Sequence, residues 1–436
     1  MKTLSNMGFA FFGAALVAIS YGLARFAFGL FVPSISNELD LSAYIVGIIG
    51  ALPFVSFVLA TMVAPLAANR LGARNLAVLS GCFGVGGLAL ISRSSDALSL
   101  GIGVFTCGVC TGLMMPALTS AMQVLVSRSM HGRVSSIMNA GTSIGIIVAV
   151  PTVVFLADAW RFTYTSFAVL AGIGVVAAWF FIPSVSRVIP ANAAPPPPVT
   201  RQQWSRLVRL SLFAFAMGFV SAPYWIFAPD LVVRLGELPP AFTGWLWFAA
   251  GIAGMGGAVV SDVADRNNPP ITQALMLMML AASLVLLAAS PDQLALTVFS
   301  ALVFGLAYMS LTGLYLMTGI RLLPGRPSMG PVLPFMACAL GQAAGSPVVG
   351  MLVGEFGYAD AFSIFCVIGI MIAVLSPIYP GHIDYLTDDD EQPQEVEAEN
   401  TGLQAAYDHQ FLDEDGNPLE PVGDEEEEAE TEETIK

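Results

Sequence analysis

Apolar runs broken by charge, proline or glycine recur along most of the chain, at 7–32, 44–68, 75–93, 97–126, 134–156, 162–182, 208–232, 242–262, 271–290, 293–320, 332–353 and 358–379. Each is long enough, as an α-helix, to cross a hydrocarbon core of about 30 Å. The pattern therefore predicts an all-α membrane protein of twelve spanning helices. The longest interruption, 183–207, carries Pro183, Pro190 and the run Pro195–Pro198. A stretch of that kind is extended and semi-rigid, without a core of its own. It divides the spans six and six. Trp204, Arg206 and Arg209 then lead into segment seven as an interfacial anchor. The expected organisation is a six-helix bundle over 1–183, a linker over 184–207, a second six-helix bundle over 208–380 and a tail over 381–436.

Composition agrees. With 56% hydrophobic and 11% charged residues and a mean hydropathy of +0.74, the chain lies far from soluble domains, in which about 25% of residues are charged. The net charge of −15 is segregated. The tail from 381 holds 21 of the 32 acids and one lysine, leaving 11 acids against 16 Lys and Arg before it. Such a tail is expected to be disordered and solvated, a solubilising segment or a regulatory one. Even helix parity puts it on the same side as the amino terminus.

Orientation follows from the basic residues. One side holds Lys2, Arg70, Arg74, Arg128, Arg133, Arg187, Arg201, Arg206, Arg209, Arg266, Arg321 and Arg326; the other holds only Arg93, Arg161 and Arg234. The first side is expected to be the cytoplasm, with both termini in it and the chain in the plasma (inner) membrane. Only Lys2 precedes the first run, so that run reads as a spanning helix and not a cleaved signal.

The halves resemble each other. Gly141-x-x-x-Gly145 in segment five recurs 200 residues later as Gly341-x-x-x-Gly345 in segment eleven. Pro65-Leu-Ala-Ala-Asn69-Arg70 after segment two is matched by Ser261-Asp-Val-Ala-Asp265-Arg266 after segment eight. A parallel repeat of two six-helix halves is a transporter plan, with the site near mid-membrane between the halves. Glycines four residues apart let helices approach closely.

These residues carry a family resemblance. Ala68-Asn69-Arg70-Leu71-Gly72-Ala73-Arg74, Ala264-Asp265-Arg266, the segment-five stretch Gly141 to Pro151 and Trp160-Arg161 together resemble the major facilitator superfamily over about 7–380. Gly22, Arg25, Phe26 and a segment-ending Pro33 look like the YbfB/YjiJ group of bacterial permeases. The resemblance implies two pseudo-symmetric bundles and loop acids that latch the cytoplasmic side. That role fits Asp265 with Arg266. In the first half Asn69 replaces the acid, so Arg70, Gly72 and Arg74 are expected to shape the loop without an ion pair.

Arg25 is the one charge deep inside a span. A guanidinium does not shed its charge, and such a residue faces a bundle interior or a wet cavity. The alternative is an outward, snorkelling side chain or one tied to a carbonyl or distant carboxylate. Around mid-depth the chain also places Tyr21, Tyr224, Trp225, Tyr308, Thr312, Tyr315 and Gln342. For each aromatic, helix packing competes with a binding role. Together they describe a small pocket with one fixed positive charge and aromatic walls. The resemblance implies that segments one, seven, ten and eleven line the cavity.

No Asp or Glu lies at mid-depth; Asp230, near the end of segment seven, is the carboxylate best placed to carry a proton. The pattern favours a transporter of a small organic anion, with drug or amphiphile efflux as the alternative and a tail-signalling membrane sensor as the reading from another class. His131, His382 and His409 fall outside the spans, and no phosphate-binding loop is present, which argues against an enzyme or ATP-driven pump. The five cysteines all lie in apolar runs, against a metal site or disulfide framework. No cofactor and no nucleic acid are expected, and a monomer in the bilayer suffices.

Overall fold

The computed structural model describes residues 4–127, 130–156, 159–184, 186–187, 198–267, 269–323, 329–376 and 411–412. Long helices dominate them. The segment Asn6–Glu38 is continuous (α1), with a π-helical turn over Ala18–Phe26. The next helical stretch, Ala43–Arg93, is broken at Gly72, whose backbone turns to φ 73° and ψ 168°. Unbroken it would run about 76 Å, more than twice a bilayer core. It is two spans, α2 (43–71) and α3 (73–93). There follow α4 (Ala97–Leu125), α5 (His131–Leu156), α6 (Trp160–Phe181), α7 (Arg201–Arg234), α8 (Thr243–Asn267), α9 (Pro269–Ala289), α10 (Leu294–Leu322), α11 (Met329–Phe356) and α12 (Tyr358–Leu375). Among the described residues twelve helices therefore stand where the hydropathy pattern predicts twelve spans.

Two boundaries differ most from the sequence reading. Pro33 does not end the first span; α1 continues to Glu38, with Pro33 inside it. Segment seven starts at Arg201, not 208, because Thr200 and Gln203 form a capping box: the Gln203 amide donates to Thr200 Oγ1 at 3.1 Å, and the Thr200 amide to Gln203 Oε1 at 3.0 Å. Residues 201–207 are thus helix rather than linker. Among the described residues the only strands are Ser186–Arg187 and Phe411–Leu412, paired antiparallel. The rest of the acidic tail, 188–197 of the linker, and Arg128, Asp158 and Arg326 lie outside the described residues.

The repeat seen in the sequence is a repeat of packing. Gly141 and Gly145 of α5 press on the α1 backbone at Ala14 and Ala18; Gly341 and Gly345 of α11 press on α7 at Phe215 and Phe219. Likewise α2 packs on α4 through Gly108 and Gly112, as α8 packs on α10 through Gly305 and Gly257. Cys107 and Cys110 of α4 are free thiols against Gly87 and Gly84 of α3, so their spacing serves packing. With no side chain between them the helices approach closely, which is how apolar spans gain contact where no hydrophobic drive separates them from lipid.

Between the halves, α1 meets α7, α2 meets α11 and α5 meets α8. Gly29 lies against the Trp225 carbonyl, Gly47 against Ser346 and Gly350, and Gly251 and Gly244 against Ile147 and Val150. All these contacts fall at mid-depth or in the half of the bundle away from the amino terminus, the far face. Buried apolar residues follow the same division. One cluster runs through both halves, whereas a second, with Phe9, Ala64, Leu76, Leu118 and Val134, is confined to the amino-face ends of the first half. The halves are packed together on the far face and have separate cores towards the amino face.

Candidate functional site

The π turn ends at Phe26, and Arg25 projects from its last residues. A π turn widens the helix and commonly marks a functional site. The backbone here is diverted further, since the Phe26 carbonyl accepts a hydrogen bond from Trp247 Nε1 of α8 at 3.4 Å. Gly22, one turn back, lies against the backbone of Gly145, which fixes how deep α1 sits in the bundle.

Arg25 is 8% exposed. It points neither to lipid nor to a carboxylate. The ion pairs among the described residues are Arg161–Glu38 and Arg234–Asp230, both at the far face. The Arg25 guanidinium carbon lies 4.6 Å from the ring centroids of both Phe54 and Phe57, 5.2 Å from Phe26 and 6.0 Å from Tyr21. Ring faces attract a cation electrostatically but give its N–H groups no acceptor of ordinary strength. Nη2 reaches Gln342 Oε1 of α11 at 3.5 Å, the long limit of a hydrogen bond, and Nε has no partner among the described residues. This weak bond joins the two halves at mid-depth.

From Gln342 the contacts close into a ring. Its Nε2 donates to Tyr308 OH at 3.2 Å. Tyr308 packs edge-on to Trp225 at 5.1 Å between centroids, and Trp225 lies 4.5 Å from Phe26, beside Arg25. Trp225 Nε1 and Tyr315 OH are buried without a partner among the described residues. Thr312 and Tyr315 line a small crevice with Pro334, Phe335 and Cys338, with room for about one water, towards the amino face from Tyr308. A second small crevice, of similar size, lies within the first half behind the π turn, against Ser20, Cys110 and Gly174.

Of the residues named from the sequence, the structure brings together Arg25, Tyr21, Trp225, Tyr308 and Gln342, with Thr312 and Tyr315 on the adjoining face of α10. Tyr224 is elsewhere: it stacks on Phe304 at 3.9 Å and bonds Ser300 Oγ at 3.0 Å, inside the second half. Phe54 and Phe57 were missed. Both lie in the unbroken apolar run of segment two, where no period separates a cavity face from a core face.

Comparison with known families decides what this architecture is. Residues 14–329 match the Major Facilitator Superfamily. The chain belongs to that superfamily. Solved structures with the same fold include the nucleoside transporter NupG (TM-score 0.68, 13% identity, 85% of this chain and 98% of that one). A bacterial homologue of the human lysosomal transporter Spinster, inward-facing and unoccupied, gives a TM-score of 0.70 at 13% identity, over 87% of this chain and 97% of that one. A D-xylose–proton symporter gives 0.67 at 14%, over 85% and 97%. No curated protein sequence matches the chain. At these identities the structural likeness carries the fold alone. As a Major Facilitator Superfamily member, the chain is a multi-pass membrane transporter of a small solute.

The superfamily loop after α2 is built as its glycine requires. Gly72 has the positive φ that breaks α2 from α3, and Arg74 Nε donates to the Ile182 carbonyl at 2.7 Å, tying α3 to the end of α6. Asn69 and Arg70 are exposed. Asp265 and Arg266 fall on helical backbone, but their side chains lie outside the described residues. Asp230, 3% exposed, is held by Arg234 Nε at 2.9 Å and by the Tyr358 hydroxyl. Arg234 also reaches Ser36 Oγ at 3.1 Å and Asn37 Oδ1 at 2.9 Å. The acid thus helps to fasten α1, α7 and α12 at the far face.

Proposed function

We propose that the chain is a secondary active transporter that carries a small organic anion across the membrane by alternating access of its two halves. The observation that carries this is Arg25: a permanent cation at mid-depth, on the seam between halves, with ring faces and one long amide bond around it but, among the described residues, no carboxylate. A cargo carboxylate supplies the missing counter-charge and acceptors. It takes the guanidinium from Gln342 and so acts on one of the two polar ties described between the halves at this depth, the other being Trp247 Nε1 to the Phe26 carbonyl. Among the described residues no buried carboxylate lies at this depth to receive cationic cargo.

The basic face, with both termini, is assigned to the cytoplasm of the plasma membrane, so the packed far face is external and the separate cores face inward. Both Asp230 oxygens are engaged, which favours a fastening role for it over proton relay. The aromatic walls also suit a neutral amphiphile, the second reading. The test is a thermal-shift screen on purified wild type and Arg25→Ala. Ligands that bind the folded form raise its apparent stability. Organic anions are expected to stabilise wild type and not the variant. Equal stabilisation of both, or stabilisation by cations and neutral amphiphiles alone, overturns the anion reading.

A further inference from the structure

We infer that the cargo is a singly charged carboxylate with an apolar, ring-bearing body, and that di- and tricarboxylates, phosphate and small hydrophilic acids are excluded. This rests on the anion reading above and sharpens it from charge number and wall chemistry.

Charge number comes first. Among the described residues Arg25 is the only cation in the spans at this depth; the other described basic residues sit at helix ends or loops. One guanidinium matches one carboxylate. A second carboxylate on the same ligand would be buried among these rings with no partner, and an unpaired buried charge is strongly disfavoured.

The donors come second. Arg25 Nε and Trp225 Nε1 are buried without acceptors among the described residues, and neither group can accept. These side chains are therefore in surplus of donors. A ligand that balances them brings oxygen acceptors and not amines.

The walls come third. The closed ring Arg25–Gln342–Tyr308–Trp225–Phe26 has one amide and one phenol hydroxyl; its other surface is aromatic. Phe304 continues the wall, 5.2 Å from Trp225 and 5.8 Å from Tyr308. A polyhydroxylated body would leave its hydroxyls unpaired against these rings, whereas an apolar ring buries its surface and packs edge or face against them.

Four probes separate these statements: benzoate, acetate (the head without the body), isophthalate (the same body with a second charge) and benzamide (the same body with no charge). Each is titrated against the purified full chain and against Arg25→Ala. Benzoate is expected to bind wild type at least about 100-fold more tightly than acetate, from burial of the ring. It is expected to exceed isophthalate by at least about 100-fold, from the second, unpaired charge. Benzamide is expected to bind both proteins alike. If isophthalate or acetate binds as tightly as benzoate through Arg25, the inference falls while the anion reading stands. If none of the four shows Arg25-dependent binding, the anion reading falls and this inference with it. Benzamide, which needs no charge partner, is the folding control: equal benzamide binding by both proteins shows that a loss of benzoate in Arg25→Ala is not a folding defect.

Discussion

Replacing Gln342 by Glu gives the guanidinium of Arg25 a protein carboxylate. The change is nearly isosteric and adds one negative charge where Oε1 already lies 3.5 Å from Nη2. At that separation, with an effective dielectric of about 20, the attraction is about 5 kcal/mol. Desolvating the new carboxylate costs several kcal/mol, so the folded state gains little. Cargo binding changes far more. An incoming anion meets a neutralised guanidinium and a like charge beside it, and loses an attraction of about 5 kcal/mol, or more than three decades in Kd. Gln342→Leu is the control: it removes the amide bond that competes for Arg25 and leaves the charge unpaired. Equilibrium titration of benzoate on detergent-purified protein at pH 8 reads both variants. Gln342→Glu is expected to lose binding by about a thousandfold or more, and Gln342→Leu to stay within about threefold of wild type. Binding by Gln342→Glu within tenfold of wild type, or an equal loss in both, refutes the claim that Arg25 awaits an external counter-charge.

Three further outcomes follow from other parts of the fold. Gly29→Ala puts a methyl into the Trp225 carbonyl; α1 and α7 must part, at about 1–3 kcal/mol, read as a lower melting temperature together with greater thiol labelling of Asn37→Cys at the far face. Gly72→Ala forces a side chain into φ 73°, ψ 168°, a region essentially reserved for glycine, at about 1–3 kcal/mol; unfolding in denaturant measures it. Asp96 caps α4, and the Ser99 amide, with help from the Ser95 and Ser99 hydroxyls, holds its carboxyl below the usual carboxylate range. A folded value below the unfolded one means that the cap stabilises above the usual range and that this contribution is lost as pH falls through the folded value. The protection factors of the Leu98 and Ser99 amides, which correct for the intrinsic pH dependence of exchange, should therefore fall in acid in wild type but stay level in Asp96→Asn, which caps without titrating.

The topology was legible because it rests on strong, additive signals. Twelve long apolar runs, a lopsided distribution of Lys and Arg, and two Gly-x-x-x-Gly pairs 200 residues apart all point the same way. Arg25 and Gln342 stood out because a charge and a side-chain amide at mid-depth have no cheap place in lipid. Aromatics carry no such mark. Tyr224 and Trp225 are consecutive, and successive residues on a helix point about 100° apart. Only Trp225 faces Arg25, and the sequence alone does not say which of the two does. Phe54 and Phe57, one turn apart on α2, share a face, but nothing in an unbroken apolar run identifies that face as the one towards Arg25. The π turn was equally hidden, since it depends on how α1 is held by Gly145 and Trp247 from distant parts of the chain. The capping box Thr200–Gln203 was readable and fixes the start of α7 where hydropathy does not.

The central claim is that the cargo's carboxylate is the partner of Arg25. Solid-state NMR on the reconstituted full chain, with 15N-labelled arginine and 13C-carboxyl benzoate, measures that contact through dipolar dephasing. The bound carboxyl carbon is expected to lie within about 4 Å of a guanidinium nitrogen, with the dephasing abolished in Arg25→Lys. Bound benzoate with no guanidinium nitrogen in range, or dephasing that survives in the variant, would contradict it.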